Sequence, residues 1–375
     1  MLYAADAWAP AVETYRNNLP HRVEKVELNE NSDLPSADVI VGGPPCQGFS
    51  SAGTRRHDDP RNSLVSVFAQ LVARARPTAF VFENVEGFLT ASGGDRVFEL
   101  LEPLLEAGYC IHLRKVNAAN YGVPQHRKRV IAIGGLGWEP VFPQPTHSAH
   151  GAPGATRAAS RHLPKTHGLL EALRGLASPA PAPPGNPEDH FARPLESDAL
   201  DRVRALRQGM TMKDLPSELW HASYKRRAFR RVMDGTPTER RGGAPAGLRR
   251  LRGDEPSKAI TSGARSEFIH PIEHRTLTLR ECARLQTFPD AFRFTGTQAD
   301  KAVLIGNAIP PLLAVAIGEG LVAGLDARSN RRASGALLSF VPTVAEGASP
   351  VLARLVASVE KRFGVLNSQL TLVEL

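Results

Sequence analysis

Along residues 1 to 135, short apolar runs alternate with stretches whose apolar positions recur every three or four residues. The opening "MLYAAD" reads as a strand, "APAVETYRNNL" as a helix, and "ADVIVGG" at 37–43 again as a strand. "NSLVSVFAQLVARAR" carries an apolar stripe at helical spacing, with Asn62 or Ser63 placed to cap its first turn. The strand "AFVFENV", the helix "RVFELLEPLLEAG" closed by Gly108, and the strands "CIHLRKVNA" and "KRVIAIGG" complete the series. Strand and helix in this alternation specify an α/β fold with a doubly wound, mostly parallel sheet. Such sheets bind ligands beyond the carboxyl ends of their strands, where Cys46 and Glu83 both fall.

The pattern breaks after residue 137. "PQPTHSAHGAPGATR" and "ASPAPAPPGNPED" are rich in Pro, Gly and Ala and read as loop or linker. A basic, helical stretch follows from "ESDALDRVRALRQG" to "SYKRRAFRRVMDG". Regular structure returns at "RTLTLRECARLQTFP", where Thr278 and Glu281 have the spacing of a capping box. "KAVLIGNAIPPLLAVAIGEGLVAGL" reads as a turn followed by a long apolar helix, "DARSNRRASG" as a linker, and "SPVLARLVASVEKRFG" as a last helix. There is no internal repeat.

Composition narrows the class. At 375 residues the chain holds one large or two medium domains, and 42% hydrophobic content is that of an ordinary globular protein. No run approaches the roughly 20 apolar residues of a membrane span, and no signal peptide opens the chain. The expectation is a cytoplasmic protein without a membrane partner. Three distant cysteines, Cys46, Cys110 and Cys282, without a CxxC pair, argue against a disulfide framework and against a metal site. The net charge of +8 is concentrated. Between His221 and Arg252 lie Lys225, Arg226, Arg227, Arg230, Arg231, Arg240, Arg241, Arg249, Arg250 and Arg252, opposed only by Asp234 and Glu239. Such a run fits a solvated helix face or a surface for phosphates.

Three stretches carry candidate chemistry. "GGPPCQGFS" puts Cys46 at a strand end, on a turn stiffened by Pro44 and Pro45. A cysteine there suits an activated nucleophile, though a lone cysteine also suits a small buried apolar residue. "ENV" ends the next strand with Glu83, either a buried proton donor or a solvated strand-end acid. "QHRKR" sets Arg127 and Arg129 two apart, on one side of an extended segment, as site residues or as a surface pair.

Taken in order, "GGPPCQGFS", "ENV", "QHRKR", "RTLTLRECARLQTFPD" and "GNAIPP" resemble the motifs of the DNA (cytosine-5) methyltransferases. The resemblance covers about residues 1 to 322, with a variable segment where the family recognises its target. It implies a Rossmann-like methyltransferase fold with a smaller target-recognition domain. The expected division is 1–136 for the first part of the catalytic and cofactor-binding domain, 137–270 for target recognition, 271–325 for the return to the catalytic domain, and 326–375 for a linker, a helix and a possible first strand.

The resemblance further implies that Cys46 adds to carbon 6 of a cytosine flipped out of duplex DNA. Glu83 holds the ring at N3 and the exocyclic amine, Arg129 holds O2, and Arg127 supports the site. Carbon 5 then takes the methyl group of S-adenosylmethionine. The stiff proline turn aims the thiolate at one ring carbon. Asp6, with Ala7 and Trp8 beside it, matches the ribose contact. Glu27 with Leu28 matches the adenine contact, and Pro45, Leu64 and Asn307 complete the cofactor set. Trp8 suits a core position equally well. Gln47 and Ser50 are expected at the DNA, as are Arg226, Arg227, Arg230 and Arg231, some on phosphates and some on guanine edges. No metal is implied. A cognate restriction endonuclease, or a complementing fragment, is the expected protein partner.

One departure stands out. The family pattern has a glycine-rich turn of the type "ELFxGxGG" after its first strand, and this sequence does not show it. "QLTLVEL" at 369–375 resembles that strand, which suggests a circular permutation. Two further readings stay open: an inactive or split-subunit DNA-binding remnant, and an RNA cytosine-5 methyltransferase.

Overall fold

The computed structural model describes residues 2–45, 64–149, 162–179, 189–192, 194–222, 224–225, 247–343 and 349–365. The chain divides into two compact units. One comprises Met1–Gly122, Lys128–Lys165 and Leu312–Leu375, the other Val123–Arg127 and Thr166–Pro311.

Among the described residues the first unit has seven strands: β1 (Ala4–Asp6), β2 (Val23–Lys25), β3 (Val39–Gly42), β4 (Ala79–Val85), β5 (Tyr109–Asn117), β6 (Lys128–Leu136) and β7 (Ala336–Val341). Five of them form one sheet in the order β7–β5–β6–β4–β3. β7 is parallel to β5 and β3 to β4, while β6 runs against both of its neighbours. The sheet is therefore mostly parallel, and the fold is mixed α/β, as the alternating pattern requires. β1 and β2 form a separate parallel pair joined by α1 (Ala9–Asn18).

The core explains the apolar runs. β4 is buried along all but its last residue, which is why it reads as continuous apolar sequence rather than as an alternation. Its Phe80 and Phe82 pack against Phe68 of α2 (Leu64–Ala75), with ring centroids 6.3 and 5.4 Å apart. Tyr109 and Phe88 close the cluster at 5.2 and 5.3 Å. Gly134 of β6 makes room for it, since a Cβ there would lie 2.0 Å from the Phe80 ring. α3 (Asp95–Glu106) contributes Val97, Leu100, Leu101 and Leu104 to the same core. Burial stabilises each such side chain by about 1.5–3 kcal/mol. Gly108, at φ +97°, turns the chain out of α3 into β5. β3 lies at one edge of the described sheet, and its Val41 is 66% exposed.

Two segments depart from the expected organisation. β7 lies inside the stretch read as linker, helix and possible first strand. Leu337, Leu338 and Ser339 are buried on it, and α5 (Pro350–Phe363) adds Leu355 and Val359 to the core. The supposed linker before β7 is tied down by hydrogen bonds from Glu139 N to Arg331 O (2.8 Å) and from Ala333 N to Gly137 O (3.1 Å). Residues 369–375, with their reading as a first strand, lie outside the described residues.

The second unit holds residues 271–311, which the sequence pattern had suggested returning to the catalytic domain. The reason is packing: Leu277, Leu279, Cys282, Leu285, Phe294 and Ile305 share one apolar cluster with Leu169, Leu251 and Ile260. The helix Leu279–Leu285 starts at the expected capping box, with Thr278 accepting from Glu281 N and Glu281 returning to Thr278 N. A second helix spans Gln298–Asn307. Together with α4 (Pro311–Asp326) this stretch is long and apolar enough to cross a membrane by composition, contrary to the sequence-based expectation. A single such stretch is also what the core helix of a folded domain presents, and α4 buries Leu313, Ile317 and Leu321 in the first unit.

Candidate active site

The site assembles where β3 and β4 end. β3 leads into Gly43, Pro44 and Pro45, immediately before Cys46. Gly42 is a glycine for want of space, since a Cβ would stand 2.5 Å from Cε2 of Phe68. Gly43 faces the next strand, where a Cβ would stand 3.2 Å from Glu83 Oε2. The turn and the Glu83 carboxylate are thus in near contact. Asn84, 3% exposed, donates from Nδ2 to Pro44 O at 3.2 Å.

Glu83 is paired from the other side. Antiparallel register sets Val85 opposite Arg129 on β6, so Arg129 meets Glu83 diagonally. Arg129 Nε lies 2.7 Å from Glu83 Oε1, with the two side chains only 11% and 12% exposed. Burial presses the pKa of Arg129 down from its ordinary value, and the Glu83 carboxylate opposes this. A second Arg129 donor goes to Lys128 O at 2.8 Å. The result is a buried carboxylate with one oxygen on a guanidinium and the other beside a glycine turn. Such a group can hold a flat polar ring by hydrogen bonds.

Arg127 is placed differently from the expectation of one extended segment. One strand ends at His126 and another begins at Lys128, and Arg127 belongs to the second unit. Its guanidinium is 1% exposed and donates to the carbonyls of Ile260 (2.8 Å), Gly306 (2.7 Å) and Ala308 (2.9 Å). Gln125 and Gln286, both fully buried, extend this network, with Gln125 Nε2 2.7 Å from Gln286 Oε1. Asn307 is exposed, between the two carbonyls that Arg127 holds. The sequence signal for Gln125 and Gln286 is slight: "QHRKR" and "RLQTFPD" each display a glutamine in an otherwise charged or apolar context.

The proposed cofactor residues of the first unit lie at strand ends. Asp6 closes β1, and its Oδ1 accepts from Trp8 N at 2.8 Å, ordering the entry to α1. Asp6, Ala7, Glu27 and Pro45 are exposed, while Trp8, Leu28 and Leu64 are half-buried. Two exposed carboxylates beside partly buried apolar side chains suit a nucleoside, whose hydroxyls and amine donate and whose ring needs apolar cover. Cys46, Gln47, Ser50, Arg226, Arg227, Arg230 and Arg231 lie outside the described residues. The other two cysteines are poor nucleophiles: burial pushes both thiols toward the protonated form, and Cys110 Sγ donates to Ser334 O at 2.8 Å.

The structure gives a mixed α/β fold, on a mostly parallel sheet, with a buried Glu83–Arg129 pair beside a proline turn, and comparison with known proteins gives the family. The sequence model of the C-5 cytosine-specific DNA methylases matches residues 1–323. The type II methyltransferase M1.HphI of Haemophilus parahaemolyticus is 33% identical over 323 residues, covering 83% of this chain and 77% of that protein. M.AgeI of Thalassovita gelatinovora is 31% identical over 398 residues, covering 85% and 93%. The crystal structure of a prophage-encoded E. coli protein, described as a DNA modification methyltransferase, shares the fold at a TM-score of 0.60 and 22% identity, covering 87% and 93%. The chain belongs to the C-5 cytosine-specific DNA methylase family and is a methyltransferase that acts on cytosine in DNA.

Proposed function

We propose that the protein methylates carbon 5 of a cytosine within a fixed sequence of duplex DNA, through a covalent Cys46 adduct to a base flipped out of the stack. The observation that carries this reading is the buried Glu83–Arg129 pair set against the glycine–proline turn that leads into Cys46. Carbon 5 of cytosine is unreactive until a nucleophile saturates carbon 6. A thiolate supplied at the end of this turn adds there. Glu83, carrying a proton when the base is bound, donates to N3 and accepts from the amine, drawing electron density away from carbon 6. Arg129, already on Glu83 Oε1, keeps the carboxylate from turning away and offers further donors to the base O2. S-adenosylmethionine, when bound, supplies the methyl group that carbon 5 takes. Asp6 and Glu27 would hold its ribose and adenine, with Trp8, Leu28, Leu64 and Pro45 as cover, and Asn307 belongs to the same set by motif. Water takes the carbon 5 proton, the pair of that C–H bond re-forms the 5,6 double bond, and the carbon 6–sulfur bond breaks to release Cys46 as the thiolate.

Arg226, Arg227, Arg230 and Arg231 fit phosphate and base-edge contacts, with Gln47 and Ser50 closing over the DNA. The named relatives are type II methyltransferases, so we take a cognate restriction endonuclease as the partner and the cytoplasm as the setting. The test is cytosine methylation mapped by sequencing on plasmid DNA from cells expressing this chain, beside the same cells expressing Cys46→Ser. Methylation at one motif, abolished by Cys46→Ser with DNA binding retained, is the expected result. Methylation that survives Cys46→Ser refutes the nucleophile, and methylated RNA with unmodified DNA refutes the substrate.

A further inference from the structure

The chain leading into Cys46 carries two prolines, which removes main-chain donors from the end of β3. Main-chain donors ordinarily extend a strand's ladder into the turn that follows it, but Pro44 and Pro45 have no N–H. The β3–β4 ladder stops with Gly42 opposite Phe82. Past that point, among the described residues, the hydrogen bond that reaches the turn comes from a side chain, Asn84 Nδ2 to Pro44 O at 3.2 Å. The geometry of Asn84 is itself constrained. The residue is 3% exposed, and its Oδ1 accepts from Val85 N at 2.8 Å, which leaves the amino end of the amide facing Pro44. Asn84 also directly follows Glu83 on β4. One dipeptide of β4 therefore carries both the carboxylate proposed to hold the base and the clamp on the turn that presents the nucleophile.

We propose that Asn84 is a positioning residue for Cys46: it fixes the carbonyl two residues before the nucleophile and so sets the line of attack on carbon 6. The inference rests on the covalent reading given above. In the step concerned, Sγ of the thiolate forms a bond to carbon 6, the 5,6 double bond opens, and its electron pair passes through carbons 5 and 4 to N3, which takes the proton of the Glu83 carboxyl group and leaves a carboxylate on Arg129. Formation of that bond needs the reacting atoms close and aligned, and a misplacement of about 1 Å costs on the order of 100-fold in rate. Because Asn84 touches neither base nor cofactor in this scheme, its loss should lower the rate of attack and spare the affinity for DNA.

The test uses the full chain and a duplex in which 5-fluorocytosine replaces the target cytosine. Fluorine at carbon 5 cannot leave as a proton does, so the adduct persists and is read as a band on a denaturing gel. In the presence of S-adenosylmethionine, Asn84→Ala should slow adduct formation by about 100-fold while equilibrium DNA binding changes by less than about threefold. Asn84→Asp keeps the size and the acceptor toward Val85 but turns a carboxylate oxygen on the Pro44 carbonyl, and should be at least as slow. Adduct formation at the wild-type rate in folded Asn84→Ala or Asn84→Asp overturns the proposal, as does a loss of DNA affinity equal to the loss of rate. Failure of the wild-type chain to form any adduct with DNA it binds overturns instead the covalent reading, and the proposal with it.

Discussion

Gly42 and Gly43 are neighbours, yet substitution by alanine should affect them in opposite ways. Neither has a left-handed backbone, so each is glycine for space alone. Gly42→Ala puts a methyl 2.5 Å from Cε2 and 2.6 Å from Cδ2 of Phe68. That ring is wedged against Phe80 and Phe82 and has nowhere to retreat. Overpacking of this kind costs about 1–3 kcal/mol, a fall in Tm of roughly 2–12 °C at 2–4 °C per kcal/mol for a domain of this size. Gly43→Ala meets only Glu83 Oε2 at 3.2 Å and Glu83 O at 3.9 Å. The far end of one carboxylate yields by a few tenths of an ångström, so stability should change by less than about 0.5 kcal/mol. The methyl, however, stands beside the oxygen left to the base once Arg129 holds the other. Methyl transfer by Gly43→Ala should fall by about 10- to 100-fold, or about 1.4–2.7 kcal/mol of barrier.

Thermal unfolding followed by dye fluorescence measures the first effect, and incorporation of labelled methyl groups, normalised to folded protein, the second. Gly42→Ala assayed well below its Tm should retain activity per folded molecule. Wild-type turnover by Gly43→Ala would show that Glu83 Oε2 does not face the substrate, and an undiminished Tm for Gly42→Ala would mean that the Phe68 ring has room.

Two further predictions follow from buried charge. Arg127→Met removes the donors to three backbone carbonyls, so the second unit should lose roughly 1–3 kcal/mol for each carbonyl left buried without a partner, read in urea unfolding. Wild-type stability with abolished turnover would instead put Arg127 at the base. His112 bonds Ser339 Oγ at 2.8 Å and Pro140 O at 3.1 Å, and burial, aided by the nearby Arg114 charge, lowers its pKa to about 3. The folded state keeps it neutral while the unfolded chain protonates it below about 6.5, so its contribution is intact above pH 6.5 and is lost as pH falls toward 3. The expected slope is about 1.4 kcal/mol per pH unit from this group, and His112→Gln should flatten the stability profile by that amount. An unchanged profile would refute the assignment.

Much of the fold was legible because strands buried on both faces and helices with one apolar stripe leave distinct marks. β4 was read as "AFVFENV" at its observed ends, and α2, α3 and α5 at theirs within a residue or two. β7 escaped because "ALLSFV" follows a polar, glycine-bearing stretch that looks like a tail. It is a strand because β5 lies beside it and Leu337 and Ser339 are buried there, and neither fact is local to its sequence. The candidate site divides in the same way. Glu83 is conspicuous as an acid closing an apolar strand, whereas the clamp by Asn84 is invisible, because an asparagine in "ENV" says nothing of a carbonyl 40 positions away.

The two arginines of "QHRKR" show where period-two reasoning stops. Residues two apart share a side only while the chain remains in one strand. Here Gln125–His126 pairs in parallel with Ser257–Lys258, and the strand that pairs with β4 and β5 starts at Lys128. Arg127 stands at the change of partners. It is spent on the carbonyls around Asn307, and Arg129 on Glu83. The motif thus serves two sites within five residues, one in each unit. Substitutions at Arg127 and Arg129 should therefore separate a loss of stability from a loss of chemistry, even though the two residues carry the same charge in one five-residue motif.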